Sequence, residues 1–242
     1  MNRNLPMVKE ASPKAIESFY QGELAPNAEM KCPLVLVLDR SSSMQGAPIK
    51  ELNRGLKIFQ TQIQNDEVAA ARLEVAVVTF ASDVKIDRDF SLFENTAIPT
   101  IEAYGNTDMA SGIQEAILRV EARKAWYKEQ GLQYYRPYIV LMTDGCPTSD
   151  ERSIEFMKEQ ILQGVKGKRF NFWAFGVENA DMEFLHSLSP EGFHPQKLKG
   201  INFADFFRWL SSSFSAITSS KPDDTINIAP KPDENPFQIT VY

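Results

Sequence analysis

Leu34-Val35-Leu36-Val37-Leu38-Asp39-Arg40-Ser41-Ser42-Ser43-Met44 is the stretch on which the reading of this 242-residue chain turns. Five consecutive branched apolar residues suit a strand buried on both faces, and the run stops abruptly in a carboxylate and three hydroxyls. Gly46-Ala47-Pro48 follows, and then Ile49, Leu52, Leu56, Phe59 and Ile63 recur at helical spacing, with Pro48 suited to a first helical turn. The unit is therefore strand, oxygen-rich loop, helix. In an α/β protein the carboxyl end of such a strand opens into the crevice where ligands bind.

Working outward, Leu73 to Phe80 (LEVAVVTF) reads as a second buried strand. After the short turn Ala81-Ser82-Asp83, the charged segment Val84 to Phe90 is expected to fold back antiparallel at the sheet edge, where charges discourage aggregation. A long connection leads to Tyr104-Gly105-Asn106-Thr107-Asp108 and a helix marked by Met109, Ile113, Ala116, Ile117 and Val120, with Thr107 or Asp108 as its cap. Tyr138 to Met142 is a third buried strand, ending in Thr143-Asp144-Gly145. Thr148 and Glu151 have capping-box spacing ahead of a helix carrying Ile154, Met157 and Ile161. Phe170 to Val177 predicts a fourth parallel strand, Met182 to Leu188 a short helix, Phe193 to Lys197 a brief strand, and Phe203 to Ile217 a last helix with an aromatic stripe facing the core.

Strands alternating with helices predict a Rossmann-like, doubly wound, mostly parallel sheet with one antiparallel edge strand. No internal repeat or linker splits the middle of the chain. The expected division is an N-terminal extension over 1–32 lying on the domain, with a helical candidate at Ser12–Tyr20, one domain over 33–218, and a tail over 219–242. The tail is expected to be extended or disordered as far as its final FQITVY, which could add a strand to a sheet edge.

Composition narrows the function. The chain is 43% hydrophobic and 24% charged, with 26 basic against 32 acidic residues, a net charge of −6 and a pI near 5.1. That balance argues against nucleic acid or an anionic membrane as main partner. Cys32 and Cys146 form neither a disulfide framework nor a metal-ligand pair. Met1 to Glu10 lacks the apolar core of a signal peptide and no run reaches membrane-span length, so a cytoplasmic protein is expected.

Three distant segments share one property: each places small oxygen-bearing side chains where a strand ends or a helix begins. They are Asp39, Ser41 and Ser43; Thr107; and Asp144. Hydroxyls and carboxylates in such a set suit magnesium, which takes six oxygens and keeps several waters. In these residues the chain resembles the von Willebrand factor A family, whose metal-ion-dependent adhesion site has the form D-x-S-x-S, then a distant Thr, then a distant Asp. Within it, LVLDRSSSMQGAPIKELNRGL and LMTDGCPTSD are similar to the bacterial tellurium-resistance type.

The resemblance implies that Ser41 and Ser43 coordinate the cation directly, Asp39 and Asp144 largely through water, and Thr107 directly or through water. The cation would be magnesium, with manganese or calcium as alternatives. It further implies a protein-binding module rather than an enzyme, recruiting an Asp or Glu of a partner, in a stress-response setting with a kinase and a phosphatase nearby. The alternative weighed is a haloacid-dehalogenase-type phosphohydrolase with Asp39 as nucleophile; its D-x-D pattern would need an acid at Ser41. Relatives often carry Gly where Ser42 stands, easing unusual backbone angles, and a small or apolar residue where Arg40 stands. Arg40 is expected to point outward, where it could grip an acidic partner, rather than lie beside the cation. Cys146 is read as a small buried residue in preference to a redox handle, and His186 and His194 as structural.

Overall fold

β1 (Cys32–Asp39) is buried over its whole length, and it sits in the middle of the sheet. The computed structural model describes residues 19–93, 98–177, 180–190, 194–198, 203–221, 224–228 and 237–240. Around β1 are ordered β2 (Leu73–Phe80), β3 (Val84–Leu92), β4 (Tyr138–Thr143), β5 (Asn171–Val177) and β6 (Gln196–Leu198), in the sequence β3-β2-β1-β4-β5-β6. Five strands run parallel, and β3 alone is antiparallel, hairpinned onto β2 at the edge as its short turn and charges predict. Phe193 of the expected last strand lies outside the described residues; the strand itself is Gln196–Leu198.

Alternation along each strand divides the core in two. Leu34, Leu36 and Leu38 face α1 (Ala47–Gln64), α2 (Glu67–Arg72) and α6 (Phe203–Ser219), joined by Tyr138, Val140 and Met142 of β4. Val35 and Val37 face α3 (Met109–Glu129), α4 (Glu151–Lys166) and α5 (Met182–Leu188), with Ile139 and Leu141. Both faces are covered, which is why these strands read as unbroken apolar runs. Phe203, Phe206, Phe207, Leu210, Phe214 and Ile217 are all buried, so the aromatic stripe of α6 is core. It packs tightly on α1 at Gly55, where an added Cβ would lie 2.4 Å from Phe207 Cδ2 and 3.1 Å from the Phe203 carbonyl.

One local expectation is corrected, and two features are added to those read in the sequence. The cap of α4 is Asp150, which accepts from the Ser153 amide at 3.1 Å and the Ser153 hydroxyl at 2.8 Å, so Thr148 and Glu151 form no capping box. The six-residue α2, capped by Asp66 accepting from the amides of Val68 and Ala69, went unread because one turn and a half shows little periodicity. In the tail, β8 (Phe237–Thr240) does not join the main sheet; it pairs antiparallel with β7 (Thr225–Ile228) in a two-stranded sheet of its own.

Residues 19–31 lie on the domain, against α3 and the β3 edge. The Tyr20 hydroxyl donates to Asp89 at 2.7 Å, the Arg119 guanidinium stacks 4.5 Å over the Phe19 ring, and Arg123 bonds Glu23 at 2.8 Å. Of the helical candidate Ser12–Tyr20 only Phe19 and Tyr20 are described, and they stand in a turn.

Candidate metal centre

The chain crosses from one side of β1 to the other between β2 and β4, so the adjacent carboxyl ends of β1 and β4 are the switch point of the sheet. Leu38 stands opposite Met142 in the register, which brings the next residues, Asp39 and Thr143, side by side. The Thr143 hydroxyl donates to Asp39 Oδ2 at 2.5 Å, and the Ser41 amide donates to Asp39 Oδ1 at 2.8 Å. Beyond Asp39 the chain turns at Ser41 into a 3₁₀ turn, Ser42–Met44, which folds the two alternate serines toward one another. Ser41 Oγ and Ser43 Oγ are 3.0 Å apart, and Ser43 Oγ donates to Asp144 Oδ1 at 2.8 Å. Residues separated by about a hundred positions thus share one hydrogen-bonded chain.

Thr107 enters from a third loop. Its amide donates to the Thr148 hydroxyl at 3.2 Å and its carbonyl accepts from the Thr148 amide at 2.9 Å. A Cβ placed on Gly145 would lie 3.8 Å from Thr107 Oγ1, so the threonine hydroxyl stands beside the residue that follows Asp144. All five residues singled out in the sequence therefore gather at one end of the sheet. Asp39, Ser41, Thr107 and Asp144 are buried, and Ser43 is exposed, which gives the cluster an open side.

The electrostatics of the cluster are unbalanced. Burial pushes the Asp39 carboxyl above the usual carboxylate range, against hydrogen bonds from Ser41, Thr143 and the Asp144 backbone that pull it down. Every one of those donors is neutral. Arg40, the neighbouring cation, is turned away from the site, and here the expectation is corrected. Its side chain is buried, with Nε donating to Thr79 Oγ1 at 2.9 Å, Nη2 donating to Asp83 Oδ1 at 2.7 Å, and the guanidinium carbon 4.3 Å from the centre of the Tyr104 ring. An arginine so satisfied within its own chain neither repels a cation nor reaches for a partner.

Ser42 raises no strain, since Lys168 alone among the described non-glycine residues has a positive φ. Cys146 is largely exposed, not buried; its thiol donates to Asp181 at 3.4 Å, and slight desolvation together with that carboxylate pushes its pKa up, away from the reactive thiolate. The rings of His186 and His194 lie 6.2 Å apart. Among the described residues there is no cluster of three or more His, Cys, Asp and Glu. The five gathered residues bring only two carboxylates, Asp39 and Asp144, and three hydroxyls. Thr143 and Thr148 were not singled out as site residues in the sequence; for Thr143 its adjacency to Asp144 was the available signal, and Thr148, four positions further on, offered none.

The family model described as von Willebrand factor type A domain matches residues 34–206. The chain belongs to the von Willebrand factor type A family. Solved structures agree with the fold of this von Willebrand factor type A chain. The pilus adhesin SpaC from Lactobacillus rhamnosus GG superposes with a TM-score of 0.64 at 14% identity, over 78% of this chain and 31% of its own. The vWF domain of the type V pili tip protein Mfa5 from Porphyromonas gingivalis gives 0.60 at 12% identity, over 81% and 98%. Proximal thread matrix protein 1 from the mussel byssus, with a zinc-occupied MIDAS motif, gives 0.53 at 12% identity, over 78% and 49%. This chain spans less than half the length of SpaC and of a von Willebrand factor type A protein from Catenulispora acidiphila that it also matches. Comparison with curated proteins gave no match. No helix among the described residues is long and apolar enough to cross a membrane.

Proposed function

We propose that this von Willebrand factor type A domain is a metal-dependent protein-binding module in which Asp39, Ser41, Ser43, Thr107 and Asp144 hold a divalent cation. Magnesium suits the set best, with manganese or calcium as substitutes, because the donors are all hard oxygens and only two are carboxylates. The observation that carries the reading is the continuous chain of bonds from Ser41 through Ser43 to Asp144, built beside a buried carboxylate whose donors are all neutral. A bound cation would supply the missing positive charge and an electrophilic centre for a carboxylate from a partner. The residues do the rest: Ser41 and Ser43 offer hydroxyl oxygens, Asp39 and Asp144 orient water, Thr107 completes the set from its own loop, and exposed Ser43 marks the side on which an Asp or Glu arrives.

The hydrolase alternative fits less well. Its D-x-D pattern needs a second carboxylate two positions after Asp39, where this chain has Ser41, whose hydroxyl pairs with that of Ser43. The similarity of LVLDRSSSMQGAPIKELNRGL and LMTDGCPTSD to the tellurium-resistance type supports a cytoplasmic stress-response role beside a kinase and a phosphatase, with residues 33–218 as the binding domain.

Calorimetry with Mg2+ and Mn2+ on the wild type and Asp39→Ala tests the metal reading; the wild type should bind and the variant should not, and a wild type that binds neither ion ends it. A pull-down from native cytosol in Mg2+ or chelator, with Thr107→Ala as control, tests the partner. Capture indifferent to chelator would leave only a scaffold with a vestigial site.

A further inference from the structure

Arg40, Asp83 and Tyr104 tie together three loops at the open end of the sheet. Arg40 belongs to the loop after β1, Asp83 to the β2–β3 turn, and Tyr104 to the connection that delivers Thr107. Asp83 Oδ1 accepts from Arg40 at 2.7 Å and from the Tyr104 hydroxyl at 2.5 Å, while the Tyr104 ring lies on the guanidinium. The backbones follow the side chains. The Tyr104 amide donates to the Arg40 carbonyl at 2.8 Å, the Ser42 amide to the Gly105 carbonyl at 3.0 Å, and the Asn106 amide to Ser82 Oγ at 2.9 Å. Gly105 has φ +75°, and a Cβ there would stand 2.5 Å from Ser82 Oγ, so the loop is seated as closely as a glycine allows.

We propose that Arg40, Asp83 and Tyr104 form a clamp that positions Thr107 against Ser41 and Ser43, and that Tyr104, which the structure places in no bond with the five candidate ligands, is a positioning residue for cation binding. The inference rests on the metal reading above. Its physical basis is a contrast in exposure. Arg40 is anchored in the interior, but Tyr104 is 44% exposed and the Asp83 side chain 54% exposed. Contacts so wet add little to global stability. They hold the stretch between Ile101, whose side chain is buried and whose backbone Asn53 fixes, and Thr107, which follows Tyr104 by three residues and is tied to Thr148. A ligand held in place before binding spares the cation the cost of ordering it.

The test uses the full chain and two measurements. Amide hydrogen exchange without cation should be faster at Ser42 and Asn106 in Tyr104→Ala than in wild type, with thermal unfolding nearly unchanged. Mn2+ affinity should fall about three- to tenfold, and water proton relaxation should show more water on the bound Mn2+, matching Thr107→Ala. Tyr104→Phe, which keeps the ring over Arg40 and loses only the hydroxyl bond, should fall between. Unchanged exchange at Ser42 and Asn106 in Tyr104→Ala would overturn the clamp. Faster exchange with unchanged Mn2+ affinity would overturn its role in cation binding. A wild type that binds no Mn2+ would overturn the metal reading and that role together, while the exchange rates would still decide whether the clamp orders the loop.

Discussion

Thr107 and Thr148 bond to each other in both directions, amide to carbonyl at 2.9 Å and amide to hydroxyl at 3.2 Å. Neighbouring contacts repeat the tie, since Ser149 Oγ donates to Asp108 Oδ1 at 2.9 Å and Asp108 caps α3 through the Ser111 amide. Thr148→Val keeps the shape of the side chain and removes the acceptor, leaving the Thr107 amide unpaired at a cost of about 1–3 kcal/mol. Thr148→Ser keeps the acceptor. The expected outcome is a lower unfolding temperature and weaker Mn2+ binding in Thr148→Val, with Thr148→Ser close to wild type; calorimetry of both variants checks it.

At the opposite end of the sheet, Glu74 and Arg123 form an ion pair with both side chains buried. Arg123 Nε and Nη2 reach the two Glu74 oxygens at 2.8 and 3.0 Å, and the Tyr127 hydroxyl donates to the same carboxylate at 2.5 Å. Burial first, and then the Glu74 charge, raise the Tyr127 pKa well above its ordinary value, so its proton stays in place as a donor. Removing one partner of such a pair strands a charge in the core. Arg123→Met should therefore cost about 3–5 kcal/mol, and Glu74→Leu combined with it should recover most of the loss. Urea denaturation of the single and double variants measures this, and a single variant losing under about 1 kcal/mol would contradict it.

How far the sequence could be read follows from the range of each interaction. The runs at β1, β2, β4 and β5 and the stripe on α6 report burial directly, residue by residue, so the doubly wound sheet was legible. Asp39, Ser41, Ser43, Thr107 and Asp144 were legible as a set because each marks the end of a strand or the start of a helix, and the topology does the gathering. Arg40 was not legible. Its direction is decided by Thr79 and Asp83, which lie 39 and 43 positions away and whose proximity depends on strand register. Thr148 was misread for a similar reason: its spacing to Glu151 suits a cap, but Asp150 stands nearer the helix and Thr107 competes for the hydroxyl.

Gly55 offers a test of the packing between α1 and α6. In a helix interior, alanine is favoured over glycine by about 1 kcal/mol from backbone propensity alone. Here the added methyl would overlap the Phe207 ring and crowd the Phe203 carbonyl, which cannot swing aside as a free side chain could. Overpacking of this kind costs about 1–3 kcal/mol. Gly55→Ala is expected to destabilise despite its better propensity, and a variant more stable than wild type in thermal or urea unfolding would show that the helices can part without loss.

Asp83 gives the clamp a pH signature. The Tyr104 hydroxyl, and after it the Arg40 charge, hold its carboxyl below the usual carboxylate range against the opposing effect of burial. A pKa depressed in the folded state means that the unfolded chain binds the proton more readily, so the contribution to stability is complete above the unfolded value of about 3.9 and is lost as pH falls through the folded one. Asp83→Asn lacks the charge at every pH. The wild type should therefore melt above Asp83→Asn at neutral pH, by a small margin because the pair is half in water, and the margin should close on acidification below about pH 4. Thermal melts of the two proteins from neutral pH downward check this. A margin that persists unchanged into strong acid would mean that Asp83 acts through its shape and not through the charge that Arg40 and Tyr104 share.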